Sequence, residues 1–268
     1  MRASSAEAVT LLRGRLGEAL GSVGSRKTAE VGDDLLGLAA VLRSEAALRR
    51  TVTDLSVDGD AKASFVRGLF EGKVDAISVD LLALGVAQRW TATRDLPDTL
   101  EQLGVETVVR SAEDAGRVAD ELFGVSQLVV QHADLRDALA DPSRSIDDKG
   151  ALLDGLLTGK ILTSAARLVR QSLSGSYRTV GAALAAYQKV AASVQGESVA
   201  QVRSAKELSA AELDRLQAAL TRQYGRPVHL NLVVDPDVIG GIRVEVGDDV
   251  IDGTVVSRLD DARRRLAG

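Results

Sequence analysis

Apolar residues recur three and four positions apart over most of the first 195 residues, which is the spacing of helices with one buried face. Val9, Leu12 and Leu16 follow this spacing and predict a first helix over residues 5–20. Further helices are predicted for the segments Leu35 to Leu48, Phe65 to Phe70, Ile77 to Trp90 and Leu96 to Leu103. This part of the chain is therefore predicted to be a helical bundle.

The helical pattern then occurs a second time. A shift of 87 residues aligns residues 33–74 with 120–161 without a gap, and 14 of the 42 aligned positions are identical. Gly72 and its counterpart Gly159 each lie just past a predicted helix, where glycine is common. We infer a duplicated helical module. Asp54 with Asp141 and Lys62 with Lys149 are among the identical pairs.

Alternation of apolar and polar residues replaces the helical spacing near the C-terminus. Residues 228–234 and 242–246 each show the period of a strand with one buried face. The link of residues 235–241 is short, so we expect the two strands to pair as antiparallel neighbours. Val199 to Val202 is a weaker strand candidate.

Two helices are predicted around these strands. Ser209 and Glu212 form a capping box that begins a helix ending at Tyr224-Gly225. After Gly253 the spacing becomes helical again and continues to the C-terminus. The predicted fold class is α+β, mostly α, with tandem helical-bundle modules followed by a small C-terminal α/β domain containing an antiparallel strand pair. The predicted domains are a first helical copy at 1–104, a second at 105–195 and the α/β domain at 196–268.

Composition restricts the available chemistry. The chain has no Cys and two His, which excludes a disulfide framework and a Cys nucleophile and leaves little material for a His-based site. The net charge of −5 argues against a nucleic-acid partner, because binders of phosphate backbones carry a basic excess. No apolar run approaches the roughly 18 residues of a membrane span. We therefore expect a cytoplasmic protein with no direct membrane span.

Two stretches resemble ligand-binding motifs but lack required residues, and a third is a cluster of carboxylates. Residues 21–28 lack the glycine that a phosphate loop places before its lysine. A calcium loop beginning at Asp235 would need ligands where Ile239 and Val246 stand. A turn of solvated carboxylates is expected for Asp248, Asp249 and Asp252. The sequence indicates no catalytic residues, no metal site and no cofactor.

The stretch Val234 to Leu259 follows the pattern V-D-P-x-[LIV]-[IL]-G-G-[LIV]-x-[LIV]-x-[LIV]-G, with a later D-[GS]-[ST] segment and a final helix. This stretch resembles the C-terminal signature of the delta subunit of F-type ATP synthases, called the oligomycin sensitivity conferral protein in mitochondria. The pattern is long and ordered, so the resemblance is specific. As its structural signature we single out Asp235, Pro236, Gly240, Gly241, Gly247, Asp252, Gly253 and Arg258.

The second helical copy is similar to the same family's N-terminal helical domain. The segment Leu135 to Leu156 contains Asp141-Pro142-Ser143 and Lys149 at the family's spacing. The resemblance therefore covers roughly residues 105–268. Residues that resemble the family's closing helix are Arg178, Leu184 and Tyr187.

The resemblance implies a non-catalytic peripheral-stalk, or stator, subunit that couples proton flow to ATP synthesis by resisting rotation of the catalytic head. It implies that a helical module receives N-terminal helices of alpha subunits, and that residues 196–268 receive the C-termini of the b subunits. We assign the alpha contact to residues 105–195, which directly precede the C-terminal domain. The expected location is the cytoplasmic face of the cell membrane, as a peripheral part of the complex.

The alternative hypothesis is a helical adaptor or scaffold unrelated to ATP synthase, because helical modules are reused for many functions. An enzyme would need convergent polar groups, and the sequence offers no such set. Within the signature, Gly240 and Gly241 are expected at positions that need either a positive φ angle or a close backbone approach, which a side chain would strain.

Overall fold

The computed structural model of the protein describes residues 3–247 and 249–255. This part of the chain contains twelve helices and four strands, and it divides into two compact units, residues 1–191 and 192–268. The elements are α1 (Ala3–Leu20), α2 (Ser25–Ser44), α3 (Ala46–Thr53), α4 (Gly59–Phe70), α5 (Ala76–Ala87), α6 (Asp95–Arg110), α7 (Ala115–Gln131), α8 (Ala133–Ala140), α9 (Ile146–Leu157), α10 (Thr163–Gln171), α11 (Val180–Val194), β1 (Ser198–Ser204), α12 (Ala210–Tyr224), β2 (Val228–Val234), β3 (Ile242–Val246) and β4 (Asp249–Asp252).

The helical unit repeats its elements at the interval found in the sequence. Helices α8 and α9 begin and end 87 residues after α3 and α4. The turn before α4 is also reproduced, because the Asp54 carboxylate accepts from the N–H and hydroxyl of Ser56 at 2.8 and 2.7 Å, as Asp141 does from Ser143. The duplicated pattern therefore encodes two copies of the same local structure.

Positive φ angles follow the two matching helices. Gly72 has φ of 73° and Gly159 has φ of 74°, and each glycine lies just past its helix, as predicted. An L-residue would be strained at either position.

Helix α6 belongs to both copies. Shifted back by the 87-residue repeat, α6 overlaps most of α1, and shifted forward by 87 residues it overlaps most of α11. It packs on α1 and α2 of the first copy and on α7 and α10 of the second copy. The helix was predicted to end at Leu103 but continues to Arg110. The predicted boundary between residues 104 and 105 therefore lies inside α6, and the division into three domains stays a prediction.

The predicted helix from Leu35 to Leu48 is wrong, because two helices meet at Glu45. The Glu45 backbone has φ of −92° and ψ of 85°, outside the helical range. Arg49 supports this break by donating from Nη1 to the carbonyl oxygens of Leu42 and Arg43 at 2.8 and 2.7 Å. The side chain thus satisfies carbonyls that the end of α2 leaves without helical partners.

Two glycines allow α2 and α6 to approach closely. A Cβ on Gly32 of α2 would lie 2.8 Å from Val108 Cγ2 and 3.1 Å from Val108 N. A Cβ on Gly104 of α6 would lie 2.8 Å from Leu36 Cγ. Neither distance is compatible with an ordinary van der Waals contact, so the crossing requires glycine on both helices.

A buried carboxylate connects α6 to distant parts of the helical unit. Glu101 is 2% exposed and accepts hydrogen bonds from Arg43 of α2 and from the Tyr187 hydroxyl of α11. It also accepts from the Ser176 N–H at 2.9 Å. Burial and the adjacent Glu101 raise the pKa of Tyr187, so the phenol remains a donor to the carboxylate. Removing one donor would leave a buried charge less well compensated.

The C-terminal unit is a four-stranded sheet in the order β2-β1-β3-β4. β1 pairs parallel with β2 and antiparallel with β3, and β3 pairs antiparallel with β4. Helix α12 begins at the predicted capping box, in which the Ser209 N–H donates to Glu212 Oε2 at 2.8 Å. Its Leu220 packs against a core on the sheet formed by Ala200, Val202, Val228, Val244 and Val246.

The predicted pairing of residues 228–234 with 242–246 is wrong, because β1 lies between them. The link leaves β2 at Asp235, whose N–H donates to Ser204 O at 2.8 Å at the end of β1. The link therefore crosses the end of β1 before β3 begins. The antiparallel pairs of the fold are β1 with β3 and β3 with β4.

Within residues 3–247 and 249–255, no helix is long and apolar enough to cross a membrane.

The glycine crossing gives a direct stability test. Gly32→Ala should lower the free energy of unfolding by about 1–3 kcal/mol, because the new methyl group must displace Val108. Denaturation can be followed by the fluorescence of Trp90, which is the only tryptophan and is 5% exposed in the first copy. Gly37→Ala is the matched control, since a Cβ there has no neighbour within 4 Å and should stabilise α2 by about 0.5–1 kcal/mol. Equal effects of the two substitutions would contradict the close crossing.

Candidate functional site

Six of the eight signature residues, all except Gly247 and Arg258, lie in two turns side by side at one end of the sheet. The first turn follows β2, where Asp235 Oδ1 accepts from the Asp237 N–H at 3.0 Å and Asp235 O accepts from the Val238 N–H at 3.1 Å. Pro236 stands between them and fixes φ inside the turn. Asp235 and Pro236 therefore shape the backbone of the link.

The paired glycines let the chain pass close to a later segment. Gly240 has φ of 66° and Gly241 has φ of 79°, which confirms the expectation of a positive angle or a close approach. A Cβ on Gly241 would overlap the carbonyl oxygen of Gly253 and lie 2.9 Å from Thr254 Cα. A Cβ on Gly240 would lie 3.0 Å from Val255 Cγ2. Gly241 is thus required both by its φ angle and by the space available.

Backbone hydrogen bonds hold the two segments together at this glycine crossing, defined as residues 240–242 against 253–255. The Gly253 N–H donates to Ile242 O at 2.9 Å, and the Val255 N–H donates to Gly240 O at 3.2 Å. The second turn is closed by Asp252, whose Oδ1 accepts from the N–H and hydroxyl of Thr254 at 3.0 and 2.7 Å. These bonds from Thr254 hold the pKa of the Asp252 carboxyl below its ordinary value of 3.8.

Gly247 belongs to a separate turn between β3 and β4. Its φ is 63°, and a Cβ would have no neighbour within 4 Å, so only the backbone angle favours glycine there. Asp249 pairs with Val246 directly across this turn. Asp248, Arg258 and the predicted final helix lie outside the residues that the structure describes.

Apolar side chains are exposed beside the glycine crossing. Ile239 is 68% exposed and Val255 is 42% exposed. Val255 donates its N–H to the Gly240 carbonyl oxygen, and Ile239 directly precedes Gly240. Val234, at the end of β2, is 44% exposed. Ile239 occupies an apolar position of the signature and Val255 directly follows its last segment, and the sequence pattern does not show that either side chain is exposed. Their exposure makes this end of the sheet the candidate docking surface of the C-terminal unit.

The signature residues of the second helical copy serve its packing. Asp141 closes the turn before α9, while Leu184 and Tyr187 of α11 are 0% and 2% exposed. These two side chains support the bundle and offer no surface to a partner. Among the described residues, no group of three or more His, Cys, Asp or Glu is arranged to hold a metal ion.

Comparisons with known proteins point to one family. Residues 105–266 match the family model described as ATP synthase delta (OSCP) subunit. A Nocardioides protein named ATP synthase subunit delta is 57% identical over 274 aligned residues, covering 100% of this chain and 98% of that protein. Proteins with the same name from Streptomyces coelicolor and Nocardia farcinica are 41% and 38% identical, also over 100% of this chain. The three alignments therefore also extend over the first helical copy, which precedes the residues that the family model matches.

The glycine crossing predicts that an alanine destabilises the sheet more at Gly241 than at Gly247, although both glycines have positive φ angles. Gly241→Ala should accelerate hydrogen exchange of the β1 and β3 amides by about 10-fold or more, because the methyl group adds a backbone clash to the strained angle. Gly247→Ala is the matched control, since it introduces only the angular strain of about 1 kcal/mol. Hydrogen–deuterium exchange with mass spectrometry measures both. Similar exchange in the two variants would show that the close approach does not hold the sheet end.

The lowered pKa of Asp252 predicts an acid-dependent contribution to stability. A depressed folded-state pKa stabilises the fold above the ordinary value of 3.8, and this contribution disappears as the pH falls through the lower folded-state value. Asp252→Ala should therefore lower the temperature at which the β3 amide NMR signals are lost at pH 7. The difference from the unsubstituted protein should shrink as the pH falls below 3.8. A difference that is constant with pH would rule out this role of the carboxylate.

Proposed function

This chain belongs to the ATP synthase delta (OSCP) subunit family, and from that premise we propose a partner for each of its two units. The chain is a non-catalytic, structural subunit of the peripheral stalk of the ATP synthase. A peripheral stalk prevents the catalytic head from rotating with the rotor, so that proton flow is coupled to ATP synthesis. The stalk binds the catalytic head and resists its rotation, and both tasks require stable interfaces.

The match over residues 105–266 carries the assignment, because it includes the second helical copy and the C-terminal unit together. We assign the N-terminal helices of alpha subunits to the second copy, residues 105–195. Helix docking on a helical module provides apolar and polar contacts over a large area without any reaction. The Asp141-Pro142-Ser143 turn and Lys149 support this assignment because they are the part of the helical sequence that resembles the family.

For the C-terminal unit, residues 196–268, we propose the C-termini of the b subunits as partners. Support comes from the exposed apolar side chains beside the glycine crossing, Ile239 and Val255. Two exposed apolar residues next to a rigid backbone crossing form a surface that a helix can cover. The crossing fixes their relative position, since the backbone bonds between residues 240–242 and 253–255 leave little freedom.

These partners imply a location. A protein that contacts the catalytic head and the b subunits would lie at the cytoplasmic face of the cell membrane, as a peripheral part of the complex. A helical adaptor unrelated to ATP synthase is not favoured, because the full-length relatives carry the delta-subunit name.

Copurification tests the proposal. An affinity-tagged chain recovered from mildly solubilised membranes should bring alpha, beta and b subunits in a fixed ratio. Ile239→Glu should weaken the recovery of b by about 10-fold, because a charge is poorly tolerated in a buried interface core. Leu55→Glu is the matched control, since Leu55 is 67% exposed and Ile239 is 68% exposed. Recovery of the chain without ATP synthase subunits would contradict the stalk assignment, and equal b recovery in both variants would contradict the b surface.

A further inference from the structure

We propose that a cleft between the first turns of α2 and α10 binds a phosphate group, either as the free ion or as part of a nucleotide. We call it the α2–α10 cleft. Its lining comes from within residues 25–30 of α2, the turn 111–113 after α6, and residues 162–167 at the start of α10. The site lies within the helical unit and does not depend on the partners proposed above.

Two helices begin at this cleft without a side-chain cap. The first N–H groups of a helix have no acceptor inside it, and they lie at the positive end of the helix dipole. Gly24 precedes α2 and Leu162 precedes α10, and neither residue provides a side-chain acceptor for its helix. The first residues of both helices line the cleft. Donors from two helix ends therefore open onto one cavity, where a bound anion would satisfy them.

The repeat shows how the matching helices are capped. One interval before Leu162 stands Asp75, the N-cap of α5, whose Oδ1 accepts from the Ile77 N–H at 2.9 Å. Helix α7, the counterpart of α2, begins at Asp114, whose Oδ1 accepts from the Arg117 N–H at 3.0 Å. The helices at the cleft lack these internal carboxylates. Their first turns are therefore available to an anion from outside the chain.

A buried hydroxyl lies in the same first turn. Ser164 of α10 is 9% exposed and lines the cleft, and its side chain makes no hydrogen bond within the described residues. Its counterpart one repeat interval earlier is Ile77. The second copy thus has a leucine where the first has the carboxylate of Asp75, and a hydroxyl donor where the first has an apolar side chain. Buried hydroxyls are ordinarily hydrogen-bonded, and an anion in the cleft would accept from this one.

Arginine side chains add positive charge to the lining. Arg26 and Arg167 both line the cleft, and their side chains are 95% and 39% exposed. Arg167 lies one turn after Thr163 on α10, and its Nη1 is 3.3 Å from Asp33 Oδ2. A guanidinium has five N–H donors, so this ion pair leaves donors for a second anion. Paired N–H donors of this kind suit phosphate oxygens.

One of the two carboxylates that line the cleft is paired with cations. Glu30 lies 3.4 Å from Lys27 Nζ and 3.5 Å from Arg26 Nε. Glu113 is an exposed carboxylate of the turn after α6. An anion in the cleft would be repelled by Glu113, so neutralising this side chain should strengthen binding.

The number of donors favours phosphate over a carboxylate. The hydroxyl-bearing residues Ser25, Thr163 and Ser164 line the cleft together with the N–H groups of two helix ends. A phosphate group offers three or more acceptor oxygens, whereas a carboxylate offers two. The cavity volume of about 670 Å³ has room for more than one phosphate group. Among the described residues that line it none is aromatic, so a nucleotide would be held by its phosphates.

A titration of the full chain with inorganic phosphate, followed by amide NMR, tests this inference. Ionic strength is kept constant with sodium chloride. The N–H signals of Thr163, Ser164 and Arg26 should shift along one saturating curve, because both helix ends contact the same ligand. Signals of the C-terminal unit should not follow that curve.

Substitutions in the cleft should change the affinity in opposite directions. Leu162→Asp gives α10 the carboxylate that Asp75 gives α5, and it should weaken phosphate binding by about 10-fold or more. Arg167→Gln should weaken it by about 10-fold through loss of the guanidinium. Glu113→Gln should strengthen it by about 2-fold. Arg170→Gln is the matched control, since this arginine of α10 is 49% exposed, lies outside the lining and should leave the affinity unchanged.

Folding is checked before the affinities are compared. Thermal unfolding of each variant is monitored by Trp90 fluorescence. If Leu162→Asp or Arg167→Gln lowers the unfolding temperature, Ser164→Ala decides the outcome, because it removes only one hydroxyl. This variant should weaken phosphate binding by about 5-fold.

Parallel titrations with ATP and acetate identify the ligand class. Saturation of the same amides by phosphate, by ATP or by both would support a phosphate site and distinguish the free ion from the nucleotide. Equal shifts with acetate, or shifts that never saturate, would overturn it. Equal affinities of the Arg167→Gln and Arg170→Gln variants would also overturn it. These outcomes leave the stalk assignment untouched, because copurification tests that assignment separately.

Discussion

The helical unit depends on the close crossing of α2 and α6. Gly32 and Gly104 remove the side chains that would otherwise separate the helices, so that Val108 and Leu36 pack directly against opposing backbone. Dense packing of this kind maximises dispersion contacts but tolerates little added volume. Because α6 also packs on α7 and α10, the crossing determines where the second copy begins relative to the first.

Duplication has produced one continuous unit with a shared helix. The Glu101 carboxylate of α6 receives donors from α2 and α11, so elements of both copies meet at one buried charge. A buried carboxylate with several donors specifies a geometry more strongly than it adds stability. Such an arrangement suits a stalk subunit, because a defined shape under load depends on keeping its helices in register.

The C-terminal unit obtains its rigidity from backbone contacts. Gly241 permits residues 240–242 to pass against 253–255, and the hydrogen bonds to Ile242 and Gly240 then connect the two turns. The signature is therefore a structural requirement, because its glycines and turn residues fix the backbone beside the exposed Ile239 and Val255. In the function proposed above, this fixed apolar surface receives the b subunits.

The sequence by itself determined the features that depend on local backbone preference. Helical spacing and the 87-residue repeat predicted matching helices, and the glycine pattern predicted a positive φ angle or a close backbone approach at Gly240 and Gly241, because neighbouring residues largely determine these properties. The family resemblance also followed from this ordered local pattern.

Only the tertiary structure decided which elements are neighbours. Alternation identified β2 and β3 as strands but could not show that β1 lies between them, because strand order depends on where the link crosses the sheet end. Likewise, the repeat did not reveal that the copies share α6, or that the Arg170 guanidinium lies against Gly150. These features depend on volumes and charges brought together from distant parts of the chain, which periodicity along the sequence does not encode.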